Sequence, residues 1–213
     1  MDERRAGGPD RVSDGVEDAA LRHWRLPTGG LRARFARRGR SSKDTAAVVL
    51  LVAMAMALSF VELPLIPWAP WLKYDASSAV AVLSSLLYGP WVGVGIAACS
   101  WIPHLVADPL GAFMNIMAAS SLALATAALW RPSASTARSI AACAAGVAAS
   151  TALSVCLNFV VTPLYLGVSY EYVAGLVLPA LVPFNVAKAA INGAIAVVFV
   201  RKVNELLEGP SSA

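Results

Sequence analysis

Between Thr45 and Val200 the chain carries only four Lys or Arg and four Asp or Glu. A run so poor in charge cannot clothe a water-soluble domain. Soluble domains devote about 25% of their residues to charge, whereas this sequence has 14%, with 58% hydrophobic residues and a mean hydropathy of +0.64. The expected class is an all-α integral membrane protein. The remaining charge is concentrated at the start, where residues 1–44 hold 11 Lys+Arg and 7 Asp+Glu, so this leader accounts for the formal net charge of +4. Its expected partner is the anionic cytoplasmic membrane surface and not nucleic acid, because the rest of the chain offers no polar nucleic-acid module.

The leader, 1–44, has little periodicity and is expected to be disordered. Its stretches Leu21–Leu26 and Leu31–Phe35 interleave Arg with Trp24 and Phe35; they suit either a membrane-surface segment or a solvated basic tail that sets topology. No cleavable signal precedes the first apolar run, so the first helix is expected to act as its own insertion signal. Six apolar segments follow, at 45–61, 76–88, 90–107, 111–130, 139–165 and 176–200. Gly89-Pro90 separates the second from the third, since this pair ends one helix and starts another. Arg131 and Arg138, the leader, and Arg201-Lys202 are the basic flanks. The positive-inside rule assigns all three to the cytoplasm, which needs an even number of crossings before residue 131. Six crossings, with both termini inside, satisfy that parity. The organisation expected is thus a leader at 1–44, a six-helix membrane domain at 45–202 and a tail at 203–213.

Polar residues inside such segments call for a reason. In the last segment Asn185, Lys188 and Asn192 are spaced so that all three fall on one helix face. Burying an ammonium or an amide in lipid is costly, so an intramembrane Lys on a polar stripe marks a functional site by default. Asn185 and Lys188 lie roughly 13 and 18 Å from the outer start of their segment at ~1.5 Å per residue. Asn115 sits about one turn, and Asn158 about two turns, from the outer ends of theirs. All four occupy the outer half, which points to a polar pocket open to the outside. No acid lies within the segment of Lys188, leaving Glu62, Asp75 or Asp108 to neutralise it from the loops. Asn residues also hydrogen-bond membrane helices to one another, and that reading stays open for Asn115 and Asn158. The loop at 62–75 contains Pro64, Pro67 and Pro70, so it cannot be a regular helix. Its Trp68, Trp71 and Tyr74 suit either an interfacial belt or a lid over a flat ligand.

Several chemistries are absent. There is no phosphate-binding G-x-x-x-x-G-K-[ST] loop, no H-E-x-x-H and no G-x-S-x-G, and Gly93-x-Gly95 lacks the strand and acidic partner of a dinucleotide site. Cys99, Cys143 and Cys156 form no C-x-x-C pair and read as small apolar residues. The chain is not expected to be an enzyme, and no metal site or bound cofactor is expected.

Lys73-Tyr74-Asp75 after a proline-rich loop, Tyr88-Gly89-Pro90, Asn115 in GAFMNIMAAS, Leu157-Asn158-Phe159 with Thr162-Pro163-Leu164-Tyr165, and Pro183-Phe184-Asn185-Val186-Ala187-Lys188 follow one another in order. Together they resemble the riboflavin-type S components of energy-coupling factor (ECF) transporters, over about residues 46–202. The resemblance implies a membrane subunit that takes riboflavin, as transported substrate, from outside the cell. Such a subunit docks on a shared transmembrane coupling subunit driven by two cytoplasmic ATPases. It carries ligand contacts onto Tyr74, Asn158, Asn185 and Lys188, with Asn115 as a further candidate, and a partner-facing Ala-x-x-x-Ala surface onto Ala53 and Ala57. Sister components on the same frame take other vitamins, and a cationic Lys188 disfavours a cationic ligand unless it is fully paired. A non-transporting membrane scaffold, with its polar groups paired among themselves, and a stand-alone facilitator are the alternatives.

Overall fold

The structure, a computed structural model, describes residues 42–131 and 135–208. The expected surface stretches at 21–26 and 31–35 therefore lie outside the described residues, as do residues 209–213. Apart from one minimal two-stranded ribbon, the fold is helical. Helix α1 spans Ser42–Ser59, α2 Ser77–Tyr88, α3 Pro90–Trp101, α4 Pro109–Leu129, α5 Thr136–Leu166, α6 Tyr170–Leu176 and α7 Val182–Glu208. Short 3-10 and π-helical turns at Ile102–Leu105 and Val177–Leu181 extend α3 and join α6 to α7. Among the described residues four helical stretches are long and apolar enough to cross a bilayer: Ser42–Ser59, Pro109–Leu129, Thr136–Leu166 and Tyr170–Asn204. Helices α2 and α3 are 12 residues each, or about 18 Å, well short of the ~30 Å hydrocarbon core.

Element ends follow from local chemistry. Gly89, at φ 110°, stands in a conformation that side-chain-bearing residues avoid, and Pro90 behind it opens α3. The Asp108 carboxylate accepts the Gly111 N–H at 2.8 Å and caps α4. Gly167, at φ 68°, closes α5. Pro163 falls inside the last turn of α5 and leaves that helix continuous to Leu166.

Three boundaries differ from those read in the sequence. Helix α1 starts at Ser42, inside what was expected to be leader, and α7 runs on to Glu208, past the expected start of the tail at 203. Within 166–175, which separates the apolar segments 139–165 and 176–200, Ser169 caps a further helix by accepting the Tyr172 N–H at 3.3 Å. Through the π-helical turn that helix runs without a break into the last long one.

Helix α2 is the hub. Ten of its twelve residues are buried, and it packs against α1, α3, α4 and α7. Small side chains make this possible: Ser77, Ser78, Ala79, Ala81, Ser84 and Ser85 let four neighbours approach at once. The buried hydroxyls are satisfied locally, Ser84 by Val80 O at 2.7 Å and Ser85 by Val82 O at 2.7 Å. Apolar clusters fill the remaining space. One, around Val82, Leu86, Leu122, Ala196 and Val200, joins α2, α4 and α7. Another packs Ala69 and Leu72 of the proline-rich loop on Val173, Leu176, Leu181 and Phe184. The loop is thus seated on the bundle, and its ends pair as an antiparallel ribbon, Leu63–Pro64 (β1) with Lys73–Tyr74 (β2).

Gly93 and Gly95 give a test of this packing with opposite signs. A Cβ on Gly93 would stand 2.6 Å from the Ala81 carbonyl oxygen and 2.5 Å from the Ser85 Cβ, whereas one on Gly95 would meet nothing within 4 Å. Gly93→Ala should destabilise by about 1–3 kcal/mol through overpacking. Gly95→Ala should be neutral or stabilising by up to ~1 kcal/mol from helix propensity. Thermal unfolding in detergent reads both; equal effects would refute the packing assigned to α2 and α3.

Candidate functional site: a polar cavity beneath the first loop

At the end of the bundle where the ribbon sits, the loop and helices α4, α5 and α7 line a cavity. Its empty space is about 810 Å³, the open mouth included. The loop contributes Glu62, Trp71, Leu72 and Lys73; α4 contributes Met114, Asn115 and Ala118; α5 contributes Ser154, Asn158 and Tyr165; α7 contributes Phe184, Asn185 and Lys188. Four of the five expected ligand-site residues, Asn115, Asn158, Asn185 and Lys188, therefore line one cavity.

Tyr74 does not line it. Its hydroxyl reaches Asn192 Oδ1 at 3.4 Å, so Tyr74 acts behind the wall. The three loop aromatics divide: Trp71 faces the cavity, Tyr74 ties the loop to α7, and Trp68 is exposed. Asn192, expected to line the pocket with Asn185 and Lys188, is fully buried and donates to the Asp75 carbonyl at 3.0 Å. It lines a smaller cavity behind the first, with Ser78, Leu122 and Ser150.

Lys188 is the centre of the arrangement. Its Nζ donates to Asp75 Oδ2 at 2.7 Å, to Asn115 Oδ1 at 2.6 Å and to the Lys73 carbonyl at 3.1 Å. An ammonium has three donors, and all three are engaged. Of the three acids expected to be available, Asp75 is the partner, and it is buried even more deeply than the lysine. The other oxygen of Asp75 accepts both the backbone N–H and the hydroxyl of Ser77, fixing the start of α2. Trp101 of α3 donates to that same hydroxyl at 3.2 Å. One network thus couples the loop to α2, α3, α4 and α7.

The asparagines are held by their own helices, which leaves capacity facing the cavity. Asn185 Nδ2 donates to Leu181 O and Asn115 Nδ2 to Gly111 O. Asn158 Nδ2 donates to Ser154 O at 2.7 Å and its Oδ1 accepts from Thr162. Each amide keeps a second N–H, and the Asn185 oxygen has no donor among the described residues. The buried Trp71 Nε1 and Ser154 Oγ also lack a hydrogen-bond partner among the described residues. Buried groups of this kind call for a ligand or water. Neither Ser154 nor Met114 was legible as a site residue: each is an ordinary apolar-segment residue until α4 and α5 are set side by side. At the mouth, Lys73 hydrogen-bonds Glu62, and this bond holds its ammonium above the ordinary lysine pKa. The stability contributed by this raised lysine pKa is present below the unfolded value of about 10.4 and is lost as pH rises through the raised one.

These features define a membrane-embedded helical protein that binds a small, partly polar molecule. The chain belongs to the family of ECF transporter substrate-specific components, whose match covers residues 46–200. Such a component is a transport subunit and not an enzyme. Among curated proteins it is 24% identical over 179 residues to the riboflavin transporter RibU of Staphylococcus aureus (strain TCH60), covering 79% of this chain and 94% of the relative. It is 27% identical over 170 residues to the riboflavin transporter FmnP of Bacillus subtilis (strain 168), covering 74% of this chain and 88% of that protein. The solved structure of the S component of a bacterial ECF transporter superposes with a TM-score of 0.68 at 25% identity, covering 80% of this chain and all of that one.

The Lys188–Asp75 pair yields a prediction about folding. Removing one member of a buried pair leaves the other charge uncompensated, at a cost of about 3–5 kcal/mol, whereas removing both is far milder. Asp75→Asn should therefore lower the unfolding midpoint in detergent strongly, and Asp75→Asn combined with Lys188→Met should recover most of the loss. Additive losses would show that the pair is not coupled.

Proposed function

We propose that this protein is the riboflavin-capturing subunit of an ECF-type uptake transporter in the plasma membrane. It takes the vitamin from the extracellular side and delivers it with a transmembrane coupling subunit and two ATPase subunits. The observation that carries the reading is the amide-lined cavity under the first loop, in a chain whose relatives on both curated matches are riboflavin transporters. An isoalloxazine ring offers a flat face to Trp71 and an edge of carbonyls and ring nitrogens to Asn158 and Asn185. Lys188 and Tyr74 act in this reading by holding Asn115 and the loop in place.

Orientation follows from charge. Arg131 follows α4, Arg138 lies in the first turn of α5, and Arg201 of α7 donates to Thr136 and Ser139 beside them; the positive-inside rule makes this end cytoplasmic. With α2 and α3 counted as short crossings, the chain passes the membrane six times and keeps both termini inside. Helix α1 buries Ala55 and Ser59 against the bundle and leaves Ala53 and Ala57 exposed. Their four-residue spacing gives a smooth face for close approach of the coupling subunit. The scaffold alternative accounts for the paired Lys188 but not for an open cavity with unpartnered polar groups.

Quenching of riboflavin fluorescence by the detergent-purified protein tests the ligand. Saturable quenching near one equivalent is expected, and Asn158→Ala and Asn185→Ala should each weaken it by about tenfold, the size of one lost hydrogen bond. Tight binding unchanged in both variants would reject the site. Uptake that persists in cells lacking the ATPase module would reject its dependence on that module.

A further inference from the structure

Three arginines gather where α4 ends, α5 begins and α7 leaves the bundle, and the cavity uses none of them. Arg201 of α7 is seated on the first turn of α5: two of its guanidinium nitrogens donate to Thr136 Oγ1 at 3.2 Å and to Ser139 Oγ at 2.9 Å. Arg138 lies between those two residues in sequence and is exposed. Arg131, also exposed, follows Trp130, which shares one buried apolar cluster with Val200. The end of α4 therefore stands against the same part of α7. None of the three arginines has a carboxylate partner among the described residues, and α4, α5 and α7 contain no Asp or Glu before Glu205. The positive end of the α5 dipole adds to this charge.

The neighbours of the arginines give their depth. Two residues toward the middle of the bundle from each one stands an exposed apolar side chain: Leu129 before Arg131, Ile140 after Arg138 and Phe199 before Arg201. The arginines thus sit where apolar surface gives way to polar surface, which is the level of the lipid headgroups. A guanidinium has five N–H donors in a fixed plane. Arg201 spends two of them on the α5 hydroxyls, which orient that plane, and keeps the others for an acceptor outside the chain.

We infer that this corner binds the phosphodiester headgroup of an anionic phospholipid, with Arg201 as the oriented fork and Arg138 and Arg131 as further charge. Arginine binds phosphate oxygens in pairs where its plane is held, and basic pockets between membrane helices at this level take anionic headgroups. The acyl chains then lie along the exposed apolar surface one step deeper. A zwitterionic lipid offers the same phosphate but brings its own cation, so it gains little from three uncompensated arginines. The site is separate from the cavity and stands whether or not the chain takes riboflavin.

Native mass spectrometry and thermal unfolding of the full-length protein in detergent test the site, with phosphatidylglycerol, phosphatidylcholine or inorganic phosphate added. Phosphatidylglycerol should stay bound and raise the unfolding midpoint, and phosphatidylcholine at the same mole fraction should do so much less. Arg201→Gln, and Arg131→Gln combined with Arg138→Gln, should each reduce this preference, by about fivefold for every arginine removed. Arg201→Lys keeps the charge without the fork and should recover only part of the loss. The double variant leaves the Arg201 bonds intact, so it decides the matter where Arg201→Gln fails to fold. Equal retention of the two lipids overturns the inference. Stabilisation by inorganic phosphate equal to that by phosphatidylglycerol overturns it in favour of a free-anion site. A preference unmoved by these substitutions overturns the assignment to this corner and moves it to the basic leader. Full recovery by Arg201→Lys overturns the fork assigned to Arg201.

Discussion

A single desolvated ammonium governs the cavity end of this protein. Lys188 is drawn into the bundle by its place on α7, and burial of an unpaired charge there is untenable. The structure resolves this with a carboxylate, an amide oxygen and a backbone carbonyl, from Asp75, Asn115 and Lys73. Two of these acceptors lie at the end of the proline-rich loop. Neutralising the lysine therefore positions the loop, and the loop in turn roofs the cavity. The Asp75 contacts with Ser77 and Asn192 continue this constraint into α2 and α7. The cavity wall and the packing of the bundle consequently draw on the same few groups.

Those groups can meet only because α2 is built from small residues. A helix rich in Ser and Ala buries almost every face, so α1, α3, α4 and α7 close around it without large side chains between them. Its shortness has a further consequence. Because α2 starts only at Ser77, the loop before it can bring Asp75 to Lys188. The apolar seat of Ala69 and Leu72 on Val173, Leu181 and Phe184 holds the other half of that loop. The roof is thus fastened by an ion pair on one side and by apolar burial on the other.

Much of the architecture was legible because lipid imposes strong rules. Scarcity of charge between Thr45 and Val200 marked the membrane class, Gly89-Pro90 marked the break between the short helices, and Asn185 and Lys188 marked a polar face. Less was legible wherever the signal was short or non-local. Ser169 as a cap, with Glu171 in the first turn behind it, did announce α6, but seven residues give too little periodicity to outweigh Gly167 and the tyrosines around it. The pairing of Leu63 with Tyr74 and of Pro64 with Lys73 has no local signature at all. Helical spacing placed Asn192 on the face of Asn185 and Lys188; it could not tell that this part of the face is sealed by Asp75.

The sequence alone therefore determined the membrane class, the helical fold, and which polar groups needed an explanation, because hydropathy and helical period are properties of contiguous residues. Only the tertiary structure decided which acid neutralises Lys188, that Trp71 and not Tyr74 faces the cavity, and that Ser154 joins its wall. Those outcomes depend on the separation of side chains more than one hundred residues apart in the case of Asp75 and Lys188. Such distances are fixed by how α2, α4, α5 and α7 pack, and no local pattern encodes them.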